Sequence, residues 1–216
     1  MSEPDSAFMK FRISRATLVR WLDAPPSRAS RWSDWRAISG QWYTDGKTTL
    51  AEAAEPVVAD IVQDADTEIA RFTDNRQFIR RLLNDPNRLG DPGDPDDQLQ
   101  IAAFDDHGEY FLAGTIEYSQ NLIDIIVFLA IARGAADYFD ASDHGVAIVH
   151  NFIWGGESDE AEVAALRLLP SGESRLLPKT EYRTIVPIFR PIVDALVDRQ
   201  LPKGFLAYAE PDLLAS

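Results

Sequence analysis

The sequence predicts an α+β fold, with a helical N-terminal part packed against a small mixed β-sheet part and a C-terminal helix. Three observations lead there. Apolar residues in the first ninety positions recur at helical spacing, the period shortens after residue 98, and a last helical stripe follows residue 187. The helical region spans 1–90 and the α+β region, with an acidic surface, spans 91–216; the two also read as one continuous domain. With 216 residues, 45% of them hydrophobic and 26% charged, the chain can build a proper core.

In chain order, Ser14 suits the N-cap of a helix carrying Leu18, Val19, Trp21 and Leu22, which Asp23, Pro25 and Pro26 bring to an end. A short helix is expected from Arg28 to Ser39, stopping at Gly40, with Trp32, Trp35 and Ile38 near one face. Thr49 opens the clearest helical pattern, from Leu50 through Val57, Val58, Ile61, Val62 and Ala65 to Ile69. Pro56 must kink or split it, because its ring removes a ladder donor. Thr73 caps a further helix with Phe78, Ile79, Leu82 and Leu83 inward. Residues 84–98 are turn chemistry throughout and read as a linker.

Strands follow at Gln100–Asp105 and Glu109–Tyr118, joined by a loop whose length and glycine suit a hairpin. Leu122–Arg133 is apolar nearly all round, as a helix buried in a larger core would be. Val146–Trp154 alternates, with His150, Phe152 and Trp154 on one face, and Val163–Leu169 is a further strand. The last helix is expected from Pro187 to Gln200, its start blurred by Pro187 and Pro191.

Charge is the most uneven property of the chain. Residues 91–162 hold sixteen acidic side chains and one basic one, Arg133, so this block alone outweighs the net charge of −14. That balance argues against nucleic acid, which needs a basic field. Six N-terminal arginines (from Arg12 to Arg36) interleaved with Trp21, Trp32, Trp35 and Trp42 resemble a stacking platform only in composition, and amphipathic helices explain them as well. No apolar run approaches the roughly 20 residues of a membrane span, and no signal-peptide core opens the chain. There is no cysteine for a disulfide, a thiolate site or a nucleophile. The expectation is a cytoplasmic protein, from a GC-rich bacterial genome given its preference for arginine over lysine.

Following the chain through the acidic block places two acidic ends. If the strands at 109–118 and 146–154 run parallel in one sheet, Asp105, Asp106, His107, Asp137, Asp140, Asp143 and His144 gather at one end, the top. Asp94, Asp96, Asp97, Glu157, Asp159 and Glu160 gather at the bottom. The bland explanation is solvated loop tips. The functional one is a non-enzymatic protein-binding module, inhibitor- or immunity-like, whose bottom-end carboxylates dock a basic partner protein and steer its approach. The alternative is a metal-dependent hydrolase over loops 105–109 and 137–144. There Asp105, Asp106, His107, Asp143 and His144 would offer imidazole and carboxylate ligands to a divalent metal.

No spacing matches H-E-x-x-H, an EF-hand, a nucleophile elbow or a phosphate-binding glycine loop. The reading therefore leans away from an enzyme and needs no cofactor. His150 reads as a core histidine. A third possibility, a homo-oligomer subunit, would use Leu122–Ala132 or the segment 204–208 as its interface.

Overall fold

The middle of the fold is a strand that the helical reading of the N-terminus passes over. In the computed structural model, which describes residues 5–38, 49–83, 99–105, 107–153 and 162–198, β1 runs from Asp5 to Arg12. It pairs antiparallel with β3 (Tyr110–Ser119) on one side and with β4 (His144–His150) on the other. Together with β2 (Gln100–Asp105), β5 (Glu162–Leu168) and β6 (Ser174–Leu176) it forms a six-stranded sheet in the order β2-β3-β1-β4-β5-β6. The two sequence regions thus share one sheet. β1 is buried on both faces over most of its length, so Ala7-Phe-Met lacks the simple alternation of a half-buried strand.

The expected mixed sheet is corrected to an antiparallel one. β3 and β4 do run in the same direction, but β1 lies between them and pairs antiparallel with both. Gly114 on β3 is needed at this junction: a Cβ there would stand 2.3 Å from the Phe8 ring and 2.4 Å from the Ala7 carbonyl oxygen.

Four helices cover one face of the sheet, packing on Ala7, Met9, Phe11, Phe111, Ala147 and Leu166. α1 (Arg15–Leu22) is capped by Ser14, whose hydroxyl accepts from the Thr17 N–H. Pro56 resolves the long pattern by splitting it. α2 (Glu55–Ile69) begins with this proline in its first turn, where the missing N–H is harmless, and residues 49–53 form a separate turn. α3 (Asn75–Leu83) is capped by Asp74, one residue after the expected Thr73, through the Gln77 N–H; the Gln77 side chain accepts in return from the Thr73 N–H.

α4 (Leu122–Gly134) is buried all round as expected, with Ile125, Ile126 and Phe128–Ala132 fully inaccessible or nearly so. It packs between α2 and the sheet, so it cannot also serve as an oligomer interface.

The helix expected at Arg28–Ser39 is instead two short 3₁₀ turns, 29–31 and 35–37. The reason is a buried cation. The Arg133 guanidinium, only 2% exposed, lies over the rings of Trp32 (4.6 Å) and Trp35 (5.2 Å). It donates to both carboxylate oxygens of Asp34 and to Ser174. The segment 28–38 wraps this group rather than following helical periodicity. The one basic residue of the acidic block is therefore a structural clamp.

The opposite face of the sheet is covered by α5 (Lys179–Val197), which starts eight residues before the expected Pro187 and carries both prolines inside. Phe189 stacks on Phe8 of β1 at 5.8 Å, and Tyr182, Ile185 and Val193 complete this second core. Among the described residues, no helix is long and apolar enough to cross a membrane.

Candidate functional site

The register orders the top end of the sheet. Asp105, Tyr110, Arg12 and His144 stand in one row across β2, β3, β1 and β4. Asp105 and His144 are thus separated by three strand spacings, about 14 Å, with Arg12 between them. Metal ligands must converge within about 2.5 Å of one ion, so this row does not bring the two into one coordination sphere.

The remaining candidates there have local duties. Asp105 accepts from the His107 N–H in the hairpin turn, and the His107 ring is fully exposed. Asp143 is buried and accepts from the Asp140 N–H, while the His144 ring nitrogen Nδ1 stands 3.4 Å from the Ser142 carbonyl. Asp137 binds the Arg31 guanidinium, and Asp140 accepts from the Thr17 hydroxyl. Asp106 lies outside the described residues. No group of three or more His, Asp or Glu that could hold a metal occurs among the described residues.

At the bottom end, Asp94, Asp96, Asp97, Glu157, Asp159 and Glu160 all lie outside the described residues, as does Trp154. Their flanking positions are described. Segment 84–98 leaves from the end of α3 and returns at the start of β2; segment 154–161 leaves after β4 and returns at the start of β5. Gln100 pairs with Thr115, Asp5 with Ser119, Ser6 with His150 and His150 with Glu162, so all the strand anchors lie at one end of the sheet. Between them these two segments contain eight acidic residues and one basic.

Two buried ionisable groups stand at this end. The Asp5 carboxyl, 6% exposed, is pushed up to about 6 by burial. His150 is 4% exposed and pulled down to about 4, first by burial and then by the Arg190 charge, against a backbone hydrogen bond at Asn151. Its ring lies 4.4 Å from that of Phe152, and its Nδ1 has no hydrogen-bond partner among the described residues. It is a neutral core histidine at physiological pH, as its apolar strand face suggested.

A cleft of about 130 Å³ opens at the same end, between α2, α3, β3 and the first turn of α4. Its aromatic wall is a chain of rings: Phe72 meets Phe78 edge-on at 5.4 Å, and Tyr118 and Phe78 both approach Phe128. Its polar wall holds Glu68, Glu117 and Asp124 against one cation, Arg81, whose guanidinium stands 5.7 Å from the Phe72 ring centre. Ser119 donates to Asp124 Oδ2 at 2.7 Å, and the Tyr118 hydroxyl donates to the Asp124 carbonyl at 2.8 Å. Asp124 also sits in the first turn of α4.

Sequence reasoning missed this cleft because its lining comes from four separate elements and follows no spacing within any of them. The one available signal was Asp124, the charge interrupting an otherwise apolar helix. No family model matches the chain, and no curated protein or solved structure shows significant similarity to it.

Proposed function

We propose that this chain is a non-enzymatic protein-binding module, inhibitor- or immunity-like and acting in the cytoplasm, that docks a basic partner protein. The docking residues are Asp94, Asp96 and Asp97 in one segment and Glu157, Asp159 and Glu160 in the other. The observation that supports this reading is the shared origin of both acidic segments at one end of the sheet. Their strand anchors stand roughly 14–19 Å apart, three to four strand spacings. That span matches one face of a protein partner better than two separate contacts. The top-end carboxylates support it less, because Asp137, Asp140 and Asp143 are engaged within the fold.

A concentrated negative field accelerates the approach of a basic partner and is screened by salt. The test is capture from native lysate at low ionic strength with elution on a salt gradient, repeated with the six docking carboxylates reversed to lysine. One basic protein held by the parent chain and lost by the variant, with the fold retained, is the expected result. Retention of the same protein by the variant refutes the reading. The hydrolase alternative over 105–109 and 137–144 would require ligands that β1 and β3 hold apart, and no observation favours it.

A further inference from the structure

We draw no further inference here: the strongest candidate, the row of Lys10, Arg167 and Arg175 on the α5 face of the sheet, has both arginines joined by Glu181 and the lysine set over the Tyr110 ring, and nothing in the structure shows what covers it.

Discussion

Asp5 and His150 lie at the same end of the sheet, and their pH dependences oppose each other. Burial raises the Asp5 carboxyl from 3.8 to about 6, so its cost to the fold is full above pH 6 and disappears below 3.8. Burial lowers His150 from 6.5 to about 4, so the stability present above pH 6.5 is lost as pH falls through 4. Between pH 4 and 6 the two trends nearly cancel. Asp5→Asn removes one of them. The difference in stability between this variant and the parent should shift toward the parent by on the order of 2 kcal/mol on going from pH 7.5 to 4. Urea unfolding at both values measures it, and a difference independent of pH would contradict the assignment. The same scale explains Arg133, which composition marks only as an odd cation in an acidic block. Asp34→Ala leaves that buried guanidinium without its carboxylate. It should cost about 2 kcal/mol in thermal or urea unfolding, less than for a fully buried pair because Asp34 is 41% exposed. A loss near zero would mean that the tryptophan rings and Ser174 suffice.

At the scale of the element, local rules were legible wherever one helix face or one cap decided the outcome. Ser14 caps α1 as its position suggests, and Ser14→Ala should lower stability by about 1 kcal/mol. α4 announced its burial through apolar residues on every side. α5 shows the limit of such rules. Pro187 and Pro191 blurred its start, yet both lie inside the helix on its exposed side, four residues apart, while Tyr182, Ile185, Phe189 and Val193 face the sheet. Packing of that apolar face outweighs two missing ladder hydrogen bonds. Because Pro191 is exposed, Pro191→Ala restores a donor without removing a core contact, and it should raise the denaturation midpoint, by about 1 kcal/mol of stability. A drop instead would show that the proline bend is needed to keep Phe189 on Phe8. The 3₁₀ turns at 29–37 make the converse point, since a cation from α4 reorganised a segment with a helical pattern.

For the whole molecule, the sheet register separates carboxylates that the sequence only counts as one block. Asp105, Asp137, Asp140 and Asp143 looked equivalent to those of the bottom end when counted along the chain. In three dimensions they hold a turn, an arginine, a threonine and a backbone N–H. The remaining excess, in segments 84–98 and 154–161, leads to the expectation that partner association slows by at least tenfold between about 20 and 200 mM salt. Stopped-flow association rates read this directly, and a flat salt profile would remove electrostatic steering from the account. Composition and periodicity alone determined the α+β class, the buried α4, the hairpin of β2 and β3, and the concentration of charge in one block. Those properties belong to single elements or to simple counting. Only the tertiary structure decided that β1 occupies the middle of the sheet, that Arg12 stands between Asp105 and His144, and that a cleft joins Phe72, Glu117 and Asp124. Proximity between elements is set by strand register and by which faces bury each other, and no periodicity within one segment carries that information.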